Sequence, residues 1–176
     1  MNDDIEIRKE IVALLPRLRR FGVSLTGNQD DADDLVQSAV EKAIRRLDSW
    51  QRGTRLDSWI FRIMHNAWID QHRQKKVRGV SVDIDEVIDL AGDDGRRVAQ
   101  FRDDFSAVRE AIDRLPATQR SVVMLALVEG RSYRETAEIL DVSEGTVMSR
   151  IARARRALRR VLEEPGDEET QDVANI

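Results

Sequence analysis

Arginine side chains dominate the last segment of the sequence that has a helical pattern. Between Gly145 and Leu162 there are six arginines and no acidic residue. A helix on a solvated surface usually mixes charges, because opposite signs pair at i,i+4 spacing. A helix that is basic throughout instead suits the phosphates and guanine edges of DNA. This segment therefore predicts a helix that contacts DNA.

The residues before the basic segment predict how it is positioned. Ser132 and Glu135 have the spacing of a capping box, which indicates the start of a short helix ending near Leu140. Three residues, 141–143, then separate the two helices, as in a helix-turn-helix whose second helix lies in the DNA major groove. Asp141 suits the turn because Asp tolerates a left-handed backbone. We expect the following residues to contact DNA: Gly145, Thr146, Met148, Ser149, Arg150 and Arg153.

A second candidate nucleic-acid surface surrounds the three tryptophans. Trp50, Trp59 and Trp68 directly precede a basic run at 73–78, and aromatic rings beside cations suit unstacked single-stranded bases. The helical period also places Trp68 on an apolar face, so core packing is the favoured interpretation for Trp59 and Trp68. Asn66 lies on a polar face of the same helix, and its amide both donates and accepts hydrogen bonds, as reading a base edge requires.

Helical periodicity and charge together predict the organisation of the whole chain. Apolar residues recur with a helical period and no strand pattern is evident. The net charge is +3 over 1–78, −5 over 79–105, +4 over 106–162 and −6 over 163–176. We therefore predict an all-α fold of two small helical domains, 1–78 and 106–162, joined by an acidic flexible linker and followed by an acidic disordered tail.

The helices of the first domain carry signals for their ends. The first helix is expected to run past Pro16 and to end near Gly27. Asn28 or Asp30 can cap the second, whose first turn is acidic and whose last turn is basic, in agreement with the helix dipole. For the third helix, the polar stretch from Asp48 to Gly53 is followed by Thr54 and Asp57, whose spacing predicts a capping box.

Composition argues against several classes of protein. The chain has 176 residues, a net charge of −4 and no cysteine, so disulfides, thiolate metal sites and cysteine nucleophiles are excluded. His65 and His72 are seven positions apart without an accompanying ligand motif, and neither a nucleophile elbow nor a glycine-rich phosphate loop is present. We predict no metal, no cofactor and no enzymatic activity. An acidic N-terminus and the lack of an apolar run of about 20 residues favour a cytoplasmic protein without a membrane segment.

Three segments, in this order, resemble the bacterial extracytoplasmic-function (group 4) sigma factors of RNA polymerase. Residues 24–44 are similar to the helix that docks on the polymerase clamp, 56–76 to the helix that reads and melts the minus-10 element, and 114–158 to the domain that binds the minus-35 element. Their sequences are SLTGNQDDADDLVQSAVEKAI, LDSWIFRIMHNAWIDQHRQKK and RLPATQRSVVMLALVEGRSYRETAEILDVSEGTVMSRIARARRAL.

The resemblance implies a role for individual residues. The implied contacts with core polymerase are Asp33, Asp34, Leu35, Val36 and Gln37. The implied minus-10 contacts are Trp50, Arg52, Arg62, Asn66, Arg73, Lys75 and Lys76, and the minus-35 contacts are those already named on the basic helix. Met148 departs from the basic residue common in the family, and Thr136 departs from the usual aliphatic residue.

The resemblance also implies partners. They are core RNA polymerase, through its beta-prime clamp and beta flap, promoter DNA in double-stranded and melted form, and an anti-sigma factor. The chain would act as a monomer within the holoenzyme, in the cytoplasm at the nucleoid, and would initiate transcription without catalysing a reaction. The strings RIMHN and GTVMSR are similar to the general-stress branch of the family.

Two other functions remain open at this point. A stand-alone helix-turn-helix regulator with an N-terminal helical sensor would need a positive net charge or dimerisation to bind DNA tightly, and it leaves the segments before residue 78 unexplained. A helical metal-dependent hydrolase would have only His65 and His72 as distinctive ligands. The two predicted domains together carry +7, which suits a DNA reader that obtains part of its affinity from a docked partner.

Overall fold

The computed structural model describes residues 2–77 and 104–163, and all regular elements within them are helical. This confirms the predicted all-α fold. The elements are α1 (Asn2–Thr26), α2 (Gln29–Arg45), a 3-10 turn (Leu47–Ser49), α3 (Leu56–Val77), α4 (Asp104–Asp113), α5 (Ala117–Val123), a π-helical turn (Met124–Val128), α6 (Tyr133–Leu140) and α7 (Glu144–Glu163). The predicted acidic linker and tail lie outside the described residues, except that 104–105 begin α4 and 163 ends α7.

Helices α1, α2 and α3 bury their apolar faces against one another. Phe21, Leu35 and Phe61, one from each helix, are completely buried, and the rings of Phe21 and Phe61 meet edge to face with centroids 5.0 Å apart. Helix α1 continues through Pro16 as predicted. The first two helices approach closely, since a Cβ atom at Gly22 would lie 3.2 Å from the Ala32 methyl group.

The helix-turn-helix prediction is confirmed in detail. Ser132 and Glu135 form the expected capping box at the start of α6. Asp141 ends this helix in a left-handed conformation with φ 53° and ψ 48°, which Asp adopts more readily than most residues. Val147 and Ile151 of α7 are buried against Leu140 and neighbouring residues in the core. These apolar contacts hold the two helices at a fixed angle.

The second predicted capping box is wrong. Helix α3 begins at Leu56 rather than directly after Thr54. The Thr54 hydroxyl donates to the Gln51 carbonyl over 2.6 Å, and Asp57 accepts from the Ser58 backbone over 2.7 Å. The Asp57 carboxylate also receives a hydrogen bond from Arg131, a residue 74 positions away. The Asp57 carboxylate, which a capping box would need, is instead bound by the guanidinium of Arg131.

Helix α5 widens into the π-helical turn before it ends. The Glu129 amide donates to the Met124 carbonyl over 2.9 Å, five residues back, and the Arg131 amide donates to Leu125 over 2.9 Å. Gly130 follows with φ +66°, a left-handed value that glycine adopts without steric cost. This segment connects α5 to the helix-turn-helix.

The helices of the two predicted domains pack against each other. Helix α1 lies against α5, and α3 lies against α6. Leu18 and Ile60 belong to the same continuous hydrophobic cluster as Leu125 and Leu140. A smaller cluster around Leu115 and helix α7 lies within the second half alone. The described residues therefore form one closed arrangement, in which the first half is α1 to α3 and the second half is α4 to α7.

Candidate nucleic-acid interface

The start of α7 presents the side chains expected to reach DNA bases. Ser143 precedes the helix, and its hydroxyl accepts from the Thr146 amide over 3.1 Å, which holds the first turn in place. Met148 is 52% exposed. Gly145, Ser149 and Arg153 are exposed, whereas Thr146 and Arg150 are half-buried. Helix α7 thus offers a mixed polar and basic surface beside the turn, while its apolar side faces the core.

Most of the candidate minus-10 residues that the structure describes lie on α3. Arg62, Asn66 and Arg73 are exposed along this helix. Arg52 is exposed in the turn before it, next to Gly53 with φ +88°. The positive φ makes this turn specific for glycine. The side chains of Lys75 and Lys76 are outside the described part of the chain.

One of the three tryptophans is buried in the core, and the other two are partly exposed. Trp68 is buried, as core packing predicted, and its ring lies 4.5 Å from that of His72. Trp50 and Trp59 are half-buried. The indole nitrogen of Trp50 is buried without a hydrogen-bond partner. Of the three rings, Trp50 and Trp59 retain surface that a base could contact.

The five candidate polymerase contacts on α2 do not share one environment. Leu35 is completely buried and Val36 is 5% exposed, so both stabilise the core and neither offers a surface to a partner. Asp34 and Gln37 are exposed, and Asp33 is half-buried. The amphipathic period of α2 explains this correction, because positions 35 and 36 fall on its apolar face. The accessible part of the predicted surface is therefore polar.

Arg62, one of the candidate minus-10 residues, lines a groove between α3 and the helix-turn-helix. Its volume is about 390 Å³. Arg62 contributes from α3, and the opposite wall comes from α6, the turn and the first residue of α7. That wall carries the carboxylates of Glu138, Asp141 and Glu144 together with the guanidinium of Arg134, whose Nε atom lies 3.2 Å from a carboxylate oxygen of Glu138. In this arrangement a cation expected to contact the DNA backbone lies opposite acidic side chains of the other half.

His65 lies on α3 and is buried. Burial lowers the pKa of the imidazole, the positive charge of Arg150 lowers it further, and the negative charge of Asp141 acts in the opposite direction. The net result is a pKa of about 4. His65 is therefore neutral at physiological pH, and its Nδ1 atom has no hydrogen-bond partner.

An ionic cluster joins the two halves, and sequence analysis did not predict it. We call it the interdomain ionic cluster: Arg17, Arg20 and Asp57 from the first half, and Glu129 and Arg131 from the second. Arg17 bridges both halves, with Nη1 3.0 Å from a carboxylate oxygen of Asp57 and Nε 2.6 Å from one of Glu129. Arg20 lies 3.2 Å from the other oxygen of Glu129.

Arg131 is the most deeply buried member of the interdomain ionic cluster. Its side chain has no solvent exposure and donates a hydrogen bond to Asp57. The guanidinium carbons of Arg131 and Arg17 lie 5.7 and 5.8 Å from the centre of the Phe61 ring, within the range of cation–π attraction. The aromatic face and the carboxylate offset part of the cost of burying this cation, whose Nε and Nη1 atoms have no hydrogen-bond partner.

Asp57 is correspondingly stabilised as a carboxylate. Burial alone would raise its pKa, but hydrogen bonds from Arg131 and Arg55, together with the charge of Arg131, outweigh this effect and lower the pKa to about 2. Sequence spacing could not reveal this contact because its members lie in distant parts of the chain. The only local signal was three charged residues, Glu129, Arg131 and Glu135, clustered around a turn glycine.

Within 2–77 and 104–163 no three side chains of the metal-ligating types come together. In the same part of the chain, no helix has the length and apolar character to cross a bilayer.

Comparison with known proteins identifies the family. A model of sigma-70 region 2 matches residues 11–78, and a model of sigma-70 region 4 matches residues 105–158. The ECF RNA polymerase sigma factor EcfG of Rhodopseudomonas palustris is 35% identical over 163 residues, covering 93% of this chain and 88% of that protein. SigM of Mycobacterium tuberculosis is 36% identical over 146 residues, covering 83% and 71%.

Solved structures agree with these sequence matches. The sigma factor RpoE from Bartonella quintana, solved with the anti-sigma factor NepR, is similar with a TM-score of 0.69 at 34% identity, covering 90% of this chain and 97% of that one. The structure of CnrH, at 22% identity and a TM-score of 0.57, shares the fold. The two helical halves, the helix-turn-helix and these relatives lead to one conclusion: the chain belongs to the ECF sigma factors of RNA polymerase, within the sigma-70 family.

Proposed function

We propose that the second half of this sigma factor reads the minus-35 element through α7. The observation that carries the proposal is the exposed polar and basic face of α7 directly after a left-handed turn at Asp141. In a helix-turn-helix the N-terminal residues of the second helix reach base edges in the major groove. Thr146, Ser149 and Arg150 occupy those positions, and Arg153 follows one turn later. Gly145 leaves room for the backbone to approach DNA, and Met148 offers an apolar contact to a base.

The first half would read the minus-10 element. Arg62 and Asn66 are exposed one turn apart on α3, and Arg73 extends the same helix. Trp50 and Arg52 stand beside its start, and Lys75 and Lys76 follow at its end. Flipping a base out of the stack costs a few kcal/mol. The arginines and lysines would hold the phosphates, and an indole ring would stack on the exposed base.

Core RNA polymerase is the protein partner that this role requires. On α2, Asp34 and Gln37 present exposed polar groups, and Asp33 is held by Arg19 over 2.9 Å. We assign these three side chains to the beta-prime clamp, and the second half to the beta flap. The net charge of −4 fits a factor that gains promoter affinity from the polymerase and binds as a monomer in the cytoplasm, at the nucleoid. The domain limits 1–78 and 106–162 are part of this proposal.

Control by an anti-sigma factor completes the proposed function. The supporting observation is the similarity to Bartonella quintana RpoE, which was solved in complex with the anti-sigma factor NepR. The likeness to EcfG extends over 93% of this chain. We propose that an anti-sigma factor of the NepR kind binds this chain and that the promoters it serves belong to a stress response.

Run-off transcription with reconstituted holoenzyme tests the proposal. The full chain is first co-purified with core polymerase and then supplied with a library of promoter fragments. Promoter-dependent transcripts are expected only with the sigma factor present, and their absence on every fragment would contradict the proposal. Lys9→Ala, which changes an exposed residue on α1, serves as a control that leaves the transcripts unchanged.

A further inference from the structure

Methionine supplies all the sulfur in this chain. There are four methionines and no cysteine, so the thioether is the one sulfur group of the sequence that an oxidant can modify. Met64 is completely buried in α3, and Met124 is half-buried at the start of the π-helical turn. Met148, near the start of α7, is 52% exposed. Of the methionine side chains that the structure describes, that of Met148 is the most accessible from solution.

The neighbours of Met148 on α7 leave its side chain uncrowded. A helical side chain leans back over the preceding turn, which here contains Gly145, a residue without a side chain. Apart from the helix backbone and its neighbours in the chain, the nearest atom that a Cβ at Gly145 would meet is the Ser143 hydroxyl oxygen, at 3.8 Å. Ala152, four positions after Met148, contributes only a methyl group. The surface around Met148 is therefore open to a small reagent.

Met148 also lies within the surface proposed to contact minus-35 DNA. Ser149 beside it is exposed and Thr146 is half-buried, whereas Val147 and Ile151 of the same helix are buried in the core. A change in the polarity of Met148 would therefore affect a bound base or phosphate. The packing of α7 against the core would not depend on it.

Oxidation by hydrogen peroxide would add one oxygen atom to the thioether. A lone pair of the sulfur attacks a peroxide oxygen, and an S–O bond forms as the O–O bond breaks. The displaced hydroxide takes the proton from the new S–O–H group and leaves as water. The sulfur is oxidised by two electrons and the peroxide is reduced by two. The product, methionine sulfoxide, has a polar oxygen on a side chain that was apolar.

We propose that Met148 is an oxidation site through which peroxides weaken the contact of this sigma factor with minus-35 DNA. The inference rests on the proposed function, because α7 is taken as the helix that reads this element. The reduced thioether packs against an apolar part of a base, such as the methyl group of thymine. The sulfoxide oxygen must lose water to take the same place, and its partial negative charge repels phosphates. Methionine sulfoxide reductase reverses the change.

Mass spectrometry of the full chain tests the site itself. The free sigma factor is treated with hydrogen peroxide for increasing times under conditions that preserve its circular dichroism, and its peptides report the sulfoxide at each methionine. We expect Met148 to be oxidised several times faster than Met124 and Met64, because it is the most exposed of the three. Oxidation of Met148 no faster than that of buried Met64 would refute the proposal.

Promoter binding by holoenzyme tests the consequence of oxidation. The free chain is oxidised, the peroxide is removed with catalase, and core polymerase is added only afterwards, so that the polymerase itself is not exposed to the oxidant. We expect the affinity for a fragment containing the minus-35 element to fall about fivefold or more, the lower end of the range for one lost base contact. Treatment with methionine sulfoxide reductase should restore the affinity.

Met148→Leu isolates the contribution of this sulfur atom, because leucine is apolar and has no sulfur. The measured quantity is the ratio of affinities before and after peroxide treatment, which should be close to one in this variant. Met124→Leu, at a half-buried position outside the proposed DNA contacts, is the matched control and should keep the wild-type ratio. Sensitivity to peroxide that persists in Met148→Leu would overturn the proposal.

The untreated holoenzyme separates this inference from the proposed function. If it binds the fragment and the holoenzyme carrying oxidised Met148 binds equally well, the inference is refuted and the proposed function stands. If the untreated holoenzyme does not bind the minus-35 element, the proposed function is refuted, and the inference that rests on it is refuted as well.

Discussion

Asp57 and Arg131, 74 positions apart in the sequence, form a buried ion pair between the helix proposed to read the minus-10 element and the turn that leads into the helix-turn-helix. The pair lies against the ring of Phe61. Its position connects the stability of the fold with the packing of the two halves against each other. Changing either residue should therefore alter both properties.

Asp57→Asn should lower the free energy of unfolding by about 1.5–3 kcal/mol, the range for a lost hydrogen bond to a charged group. The folded-state pKa of about 2 lies below the ordinary value of 3.8, so the carboxylate's contribution is complete above pH 4 and is lost as the pH falls through 2. Urea unfolding between pH 7 and pH 2 measures both effects. Asp70→Asn, at an exposed site on the same helix, is the control; equal stability of the two variants would contradict this assignment.

Protonation of His65 should destabilise the folded chain at mildly acidic pH. Because its pKa falls from 6.5 to about 4 on folding, the unfolded state binds the proton more strongly between these values. Stability is then full above pH 6.5 and declines by about 1–2 kcal/mol between pH 7 and pH 5. In His65→Leu this decline should disappear, whereas in His72→Gln it should persist. The urea concentrations at the midpoint of unfolding, measured at pH 7 and pH 5, give the size of the decline. An unchanged decline in His65→Leu would exclude His65 as its source.

Two neighbouring residues of α2 should separate a core role from a polymerase contact. Leu35→Ala removes a completely buried side chain and should cost about 2–5 kcal/mol of stability. Asp34→Ala changes an exposed carboxylate and should weaken co-purification with core polymerase at unchanged stability. Thermal unfolding and a polymerase-binding titration on both variants provide the comparison. Normal polymerase binding by Asp34→Ala would remove this residue from the proposed interface.

The two promoter-reading helices should respond differently to single substitutions. Arg153→Ala should weaken minus-35 binding of the holoenzyme by about 1–3 kcal/mol if the side chain reads a base. Asn66→Ala should reduce promoter opening, measured with permanganate, and should leave polymerase binding intact. Unchanged promoter affinity in the first variant, or loss of polymerase binding in the second, would contradict these roles.

Thr136→Val should stabilise the protein by about 1–2 kcal/mol. The Thr136 side chain is completely buried and its hydroxyl lacks a hydrogen-bond partner, a loss that a methyl group of similar shape avoids. A urea titration against wild type measures the gain. A destabilised variant would imply that the hydroxyl has a partner.

Comparison of two capping motifs explains how much of the fold the sequence predicts. Ser132 and Glu135 form the predicted box at the start of α6, although the Glu135 carboxylate also lies 3.5 Å from Arg55. Thr54 and Asp57 have the same spacing but form no box, because α3 begins only at Leu56, the Thr54 hydroxyl donates to Gln51, and the Asp57 carboxylate accepts from Arg131 and Arg17. Local patterns thus predict helices reliably where the side chains remain at the surface.

In the candidate site too, features that depend on neighbouring residues could be predicted, whereas contacts between distant residues could not. The exposure of Asn66 and the left-handed turn at Asp141 follow from helical period and residue type, and both are observed. The burial of Leu35 also follows from the period, although the resemblance to clamp-binding segments had assigned it a partner. The partners within the interdomain ionic cluster could not be predicted from local patterns, since Arg17 and Glu129 meet only after the chain has folded.

The π-helical turn at Met124–Val128 changes the direction in which the residues after it point around the helix axis. A π-turn inserts one extra residue into a helix, and one residue in an α-helix corresponds to a rotation of about 100°. Glu129 therefore points toward Arg17 while Val122 keeps its place in the core. Deleting one residue from the turn would rotate the following residues relative to α5 and would move Glu129 and Arg131 away from Arg17 and Asp57 without altering a single charge. Insertions and deletions in this turn would thus disrupt the contacts between the two halves, whichever residue types were inserted or removed.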